Sequence, residues 1–393
     1  MDFCELGQII DQLREKVRQF EENPDAALQE PDSAIQLVNR AIEFTREEDL
    51  PELHAMSSAL LGQLQLQTSK ADARAATELA ISSFNTFLKL CPDRDYPKEW
   101  MAHAHGSLGS LLLQRPSGDP AQNIDGAISH LQQALDLSCS GADDSTCIDA
   151  LYWLGVAYTR RRSGVAGDNR NMAISHFMRA SELCEEKGLR YDWARLQSEL
   201  SLAYLQGLSE EDADKAIESC NQALTVFSRS SDPERWAQAH HNLGLAYRFR
   251  SREQRAHDLE ESLRHFHLAL SVFDSEKNES HAALTCWELA RLLTVRTGGD
   301  AEENLEQAVG FARRALDTYE KLDQDASVAQ AQAALGRAYL RRKCGLRREN
   351  LEQAIAYLEA ARRFYDISAH ASLPRRVQRD LRSAELAMET LDD

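Results

Sequence analysis

Residues 236–250 read WAQAHHNLGLAYRFR, and residues 350–366 read NLEQAIAYLEAARRFYD. In both, small and apolar residues recur at intervals of three and four, the spacing of one face of an α-helix. The first segment carries a Leu-Gly pair at Leu243-Gly244, a point where two helix backbones approach closely. The second carries Ala354 and Ala361, seven residues apart and so on one stripe. Each helix needs a partner to bury its apolar stripe, and the two together make a hairpin.

Both signals repeat. The Leu-Gly pair or a small-residue variant stands at Leu61-Gly62, Leu108-Gly109, Leu154-Gly155, Leu200-Ser201, Leu243-Gly244, Leu289-Ala290 and Leu335-Gly336, at intervals of 47, 46, 46, 43, 46 and 46 residues. The second marker stands at Ala34, Ala80, Ala127, Ala173, Ala216, Ser262, Ala308 and Ala354, at intervals of 46, 47, 46, 43, 46, 46 and 46. Two markers that share one three-residue deletion define a tandem repeat. A small residue follows the second marker by seven positions in every unit except at Phe87, and an aromatic follows the first by three at Tyr158, Tyr204, Tyr247 and Tyr339.

The connection inside each unit has its own rule. Arg and Asn or Asp recur eight apart at Arg115/Asn123, Arg161/Asn169, Arg250/Asp258, Arg296/Asn304 and Arg342/Asn350. Standing just before the second helix, the Asn or Asp is expected to cap its free N–H groups. The Arg, at the end of the first helix, is expected to favour the negative dipole end and reach loop carbonyls. The unit holding GLSEEDADKAI (207–217) lacks this brace.

Leu243, Gly244, Tyr247, Ser262 and Ala269, like Leu335, Gly336, Tyr339, Ala354 and Ala361, match the pattern of the tetratricopeptide family, which residues 30–366 resemble. The period of about 46 exceeds the family's 34. Extended repeats with RxxG…NLExAI loops resemble those that precede CHAT protease domains. The resemblance implies an all-α fold, an α-solenoid forming a right-handed superhelix of about eight antiparallel hairpins. A degenerate capping hairpin is expected over residues 1–46, tandem repeats over 47–366, and a C-terminal capping helix over 367–393, within PRRVQRDLRSAELAMETL (374–391).

Composition narrows function. The chain has 45 basic and 63 acidic residues and a net charge of −18, which repels nucleic-acid phosphates and anionic lipids. No stretch approaches the roughly 20 apolar residues of a membrane span, and MDFCELGQIIDQLREK is not a secretory leader, so a cytoplasmic location is expected. The 8 cysteines form no CxxC or zinc spacing and read as small buried apolar residues in a reducing compartment. Histidines at 103/105, 240/241 and 265/267 are spaced so that the members of a pair point apart. No metal, cofactor or catalytic motif is expected.

The family resemblance implies a concave groove lined by first-helix positions six and three before, and one after, the Gly position. These positions hold His103, Asp149, Tyr152, Arg195, Ser198, Gln238, His241, Trp287, Arg291, Gln330 and Arg337, with Asn242 and Glu288 on the same side. Aromatic groups and bidentate guanidiniums fit a peptide or partner domain, with acidic groups as complements to the arginines. The expected function is a non-catalytic interaction scaffold. An alternative is a ligand- or peptide-responsive regulator of a separately encoded effector such as a CHAT-type protease. The loop arginines (160–162, 248–255, 341–348) could form a basic rim, but bracing the loops accounts for them better.

Overall fold

The computed structural model describes residues 8, 11, 31–47, 49–68, 73–90, 98–138, 144–207, 209–250, 255–367 and 374–392. Sixteen helices and no strand occur among them. Of the capping hairpin expected over residues 1–46, the part before Pro31 lies outside the described residues, apart from Gln8 and Asp11. The chain divides into two units, Met1–Leu196 and Gln197–Asp393.

The first unit contains α1 (Pro31–Glu47), α2 (Pro51–Thr68), α3 (Ala73–Leu90), α4 (Lys98–Gln114), α5 (Pro120–Ser138), α6 (Asp144–Arg160) and α7 (Ala166–Glu186). The helix α8 (Arg190–Leu205) carries the unit boundary within it. The second unit contains α9 (Glu210–Ala223), α10 (Pro233–Phe249), α11 (Arg255–Ser275), α12 (Glu279–Leu293), α13 (Ala301–Lys321), α14 (Asp325–Arg341), α15 (Arg347–Ile367) and α16 (Pro374–Asp392). From α2 to α15 the even-numbered helices carry the Leu-Gly marker and the odd ones the Ala marker; we call them A and B helices. Hairpins α2–α3, α4–α5, α6–α7, α10–α11, α12–α13 and α14–α15 pack internally, and within each unit a B helix packs on the next A helix. Successive A helices also touch, α4 on α6 and α12 on α14. This is an all-α solenoid arrangement of tetratricopeptide-type hairpins.

The markers sit where the helices cross. A methyl group added at Gly155 would lie 2.4 Å from the Phe177 ring, and one at Gly244 would lie 2.6 Å from Phe266. Gly109 and Gly336 meet Leu131 and Leu358 in the same way. Each partner stands four residues after the Ala marker, so the A-helix glycine is the socket for a B-helix apolar side chain. Ala134, Ala180, Ala223, Ala269, Ala315 and Ala361 are fully buried, and so is the larger Phe87.

The loop brace exists, with its parts rearranged. Asn304 lies inside the first turn of α13, and the capping task falls to Asp300, whose carboxylate accepts from the Glu302 and Glu303 N–H groups. Asn304 instead donates to the Gly298 carbonyl and accepts from Arg296 at 2.8 Å each. Asn350 repeats both bonds with Cys344 and Arg342, and Asn123 and Asn169 donate to Ser117 and Ser163. Between Arg and Asn the chain turns through Gly118, Gly164, Gly299 and Gly345, with φ of +72° to +83°, the left-handed region that favours glycine.

The arginine does more than brace its own loop. Arg115, Arg296 and Arg342 grip Glu78, Glu260 and Glu306 of the preceding B helix, each through two parallel hydrogen bonds of 2.6–2.8 Å. Arg161 and Arg250 reach Asp125 and Asp214 at 2.9 and 2.8 Å. Each acid stands two residues before the Ala marker, and each Arg six after the Gly position one unit later. Where the sequence has Asn171 in place of the acid, it has Gly207 in place of the Arg. Rim arginines serve the fold as well: Arg160 donates to the Leu113 carbonyl and Arg341 to that of Thr294, at the ends of the preceding A helices.

Among the described cysteines two depart from expectation: Cys344 is only half-buried, and Cys147 is not reduced. Cys184, Cys220 and Cys286 are buried free thiols, held protonated by burial, which raises them to about 12, 12 and 11. Cys147, in the first turn of α6, is disulfide-bonded. A spacing rule built on CxxC motifs carries no information about such a pair.

Candidate functional site

The A helices offer two groups of the expected groove residues, one in each unit. In the first, the Arg195 guanidinium lies 4.6 Å over the Tyr152 ring and 3.4 Å from Asp192. Asp149 and Asp192 raise the Cys184 thiol and Arg195 lowers it, so these charges share one neighbourhood after burial has made the largest change. His103 stands on α4, half-buried, edge-on to Phe84 and 3.4 Å from the Ser107 hydroxyl.

In the second unit the expected residues separate by burial. His241 and Asn242 are buried at 7% and 5% exposure. The Thr285 hydroxyl donates to the His281 carbonyl, leaving its oxygen to accept from His241 Nδ1 at 2.9 Å. Burial, then His281 and Arg248, push His241 down to about 3, so the ring is neutral. Asn242 donates to the Ser201 hydroxyl at 3.0 Å, and Ser201 donates to the Ser198 carbonyl. These side chains join A helices to one another. Gln238 stays half-buried, with its amide 3.5 Å from Glu234.

Trp287, Arg291, Gln330 and Arg337 come together. They line one cavity of about 270 Å³ on α12, α14 and α16, with Ala333, Ala334, Arg376 and Val377 completing the walls. Trp287 is fixed by its indole N–H, which donates to the Gln330 carbonyl at 3.1 Å. Arg291 lies 4.5 Å over the Trp287 ring and donates to both oxygens of Glu288 at 3.1 and 3.2 Å. Glu288 also takes Arg248 at 3.1 Å, and these two side chains are only 6% and 10% exposed. Burial lowers Arg248 to about 10, with Arg291, Arg255 and Arg376 adding to that and Glu288 opposing it. Behind the wall, Arg337 donates to Asp380 of α16 at 2.6 Å in a buried ion pair.

The last helix contributes to this cavity as an A helix. It packs on α14 as α14 packs on α12. Counting on from Leu335-Gly336 by one period reaches Leu381-Arg382, where Leu381 is buried and Arg382 is exposed. The rule that selected the groove positions, extended to this register, selects Arg376 at six before. The repeat pattern does not mark it, because α16 has Arg382 where the other A helices have glycine, serine or alanine.

Among the described residues no group of three or more His, Cys, Asp or Glu side chains could hold a metal ion, and no helix is long and apolar enough to cross a membrane. The histidines that do meet are on facing helices, His105 with His130 and His240 with His265, with Nδ1 atoms 3.0 and 2.8 Å apart. Arg264 donates to His265 Nε2, so a neutral His265 carries its proton on Nδ1 and donates it to His240.

No family model and no curated protein matches the chain. Solved structures that resemble it over nearly its whole length include two Rap proteins. The apo form of RapI superposes with a TM-score of 0.64 at 13% identity, covering 98% of each chain. A Rap protein complexed with Competence and Sporulation Factor superposes with a TM-score of 0.56 at 13% identity, covering 98% of this chain and 99% of that one. At this identity the likeness is one of fold, that of tetratricopeptide-type helical repeats.

Proposed function

We propose that the chain is a non-catalytic interaction scaffold that binds an extended peptide, or a peptide-like segment of a partner protein, on the face formed by its A helices. The observation that carries this reading is the cavity on α12, α14 and α16. There Trp287, Arg291, Gln330 and Arg337, selected by one positional rule, share a single wall. An indole anchored at one edge and guanidiniums already oriented by carboxylates are groups that bind at small entropic cost. The residues Asp149, Tyr152 and Arg195 offer the same kind of chemistry within the first unit, and His103, Ser198, Gln238, His241 and Asn242 are the further A-helix candidates of their own units.

A second reading makes the peptide a signal that controls a separately encoded effector. Two observations favour it: a protein of similar fold was solved with Competence and Sporulation Factor, and the RxxG…NLExAI loops resemble repeats that accompany CHAT proteases. The free thiols Cys184, Cys220 and Cys286 fit a cytoplasmic setting, against which Cys147 stands.

Affinity capture from the native host, followed by mass spectrometry, tests the scaffold reading with Trp287→Ala and Arg291→Glu as controls. A specific partner lost from both variants, at unchanged helicity, supports it. Equal capture by wild type and both variants overturns it. Compaction in solution scattering on adding the captured peptide would select the regulatory reading.

A further inference from the structure

The charges around the cavity do not balance. Four guanidiniums, of Arg248, Arg291, Arg337 and Arg376, stand with two carboxylates, of Glu288 and Asp380. Glu288 is occupied by Arg248 and Arg291, and Asp380 by Arg337 at 2.6 Å with the exposed Arg379 further off at 3.8 Å. Arg376, in the first turn of α16, makes no ion pair among the described residues, while it lines the same cavity as Trp287. Arg376 is exposed to solvent; partial desolvation, then Arg337, Arg291 and Arg379, lower its affinity for a proton against the pull of Asp380. A chain with a net charge of −18 thus concentrates uncompensated positive charge at one apolar-walled cavity. With Arg248, Arg291 and Arg337 already paired, the exposed Arg376 guanidinium is the one open to an incoming anion.

The remaining walls identify the occupant. Trp287, Ala333, Ala334 and Val377 present apolar surface and few hydrogen-bond donors, so the cavity suits one oxyanion joined to an apolar body. We infer that Arg376 is the anion-gripping residue of this cavity, holding a carboxylate of an acidic peptide whose neighbouring apolar side chain lies against Trp287. The inference rests on the scaffold reading, and it assigns α16 a binding role in addition to ending the repeats. A free oxyanion such as phosphate shares the charge but not the apolar body.

The test uses the full chain labelled with ¹⁵N-arginine, so that guanidinium Nε–H resonances are observed directly. The Arg376 resonance is assigned by its loss in Arg376→Gln, and the protein is titrated with acetyl-Leu-Glu-Leu-amide, its Gln isostere, and inorganic phosphate. The Glu peptide is expected to shift the Arg376 resonance and to bind roughly tenfold more tightly than either the Gln peptide binds wild type or the Glu peptide binds Arg376→Gln. Arg376→Gln should fold with no loss of thermal stability, because it removes a repelled charge. Three results overturn the inference: equal affinity for the Glu and Gln peptides, an unchanged affinity in Arg376→Gln, or no shift of Arg376 by the Glu peptide. A shift by phosphate as strong as that by the peptide at equal concentration also overturns it, since the site would then be one for free oxyanions. If Trp287→Ala weakens peptide binding while Arg376→Gln does not, this assignment fails and the scaffold reading survives; if neither variant has an effect, both fail.

Discussion

Arg342 holds Glu306 of the preceding repeat through two parallel hydrogen bonds of 2.6 and 2.8 Å, while a third guanidinium nitrogen turns inward to Asn350 at 3.2 Å. One side chain therefore ties a loop to its own helix and that helix to its neighbour. Arg296 does the same with Glu260 and Asn304.

The two bonds in this staple differ in burial, and so in what their loss costs. Asn304 is 4% exposed, and Asn304→Ala orphans the Gly298 carbonyl, costing about 1–3 kcal/mol in urea unfolding. Glu260 is 44% exposed, so a double-mutant cycle of Glu260→Ala with Arg296→Ala should show a coupling of only about 0.5–1 kcal/mol. A larger coupling for the exposed pair than the cost at Asn304 would reverse the assignment.

Glycine positions separate by what faces them. Gly155→Ala drives a methyl group into the Phe177 ring and should cost about 1–3 kcal/mol. Gly310, inside α13, has nothing within 4 Å of an added Cβ, so Gly310→Ala should stabilise by about 0.5–1 kcal/mol. Thermal melts of the two variants should move in opposite directions.

Acid should destabilise the fold through its buried histidines. Burial lowers His105, His240 and His265 to about 4 and His241 to about 3, against an unfolded value of 6.5. The folded state prefers each ring neutral, so this stability is complete above about pH 6.5 and is lost as pH falls towards 4. Each ring contributes on the order of 1–2 kcal/mol between pH 6.5 and 5. Glu78, held at about 2 by its bonds to Arg115 and Ser117, adds a loss of the same sign at lower pH. Urea midpoints measured from pH 7.5 to 5 should decline, and less steeply in His241→Gln.

Two charged residues at the cavity should respond oppositely to neutralisation. Glu288→Gln leaves Arg248 buried without its carboxylate and should cost about 3 kcal/mol. Arg376→Gln breaks no ion pair among the described residues and should leave the melting temperature unchanged or higher. Equal destabilisation by both would remove the distinction between fixed and available charge.

The hairpins were legible because both markers mark direct contacts: the glycine at 155 or 244 is the socket, and Phe177 or Phe266 is what fills it. The brace was half legible. An Asn just before a helix suggests a cap, yet Asp300 takes that bond and Asn304 works one turn further in. The repeat-to-repeat staple was written in the sequence as an acid two before one marker and an Arg six after the other, but it appears only when adjacent units are aligned with a one-unit offset. Burial of His241 and Asn242 was not legible, because periodicity places a residue on a helix face without saying how closely the next helix covers it. Arg376 was hidden because Arg382 replaces the small residue of the marker in α16.

The claim that the A-helix face is the binding surface is tested most directly by hydrogen exchange on the full chain, with and without its captured partner. The account predicts added protection in α12, α14 and α16, over the segments that carry Trp287, Arg337 and Arg376, with little change in the B helices α11, α13 and α15. Protection confined to those B helices, or to the loops at Arg250, Arg296 and Arg342, would contradict it.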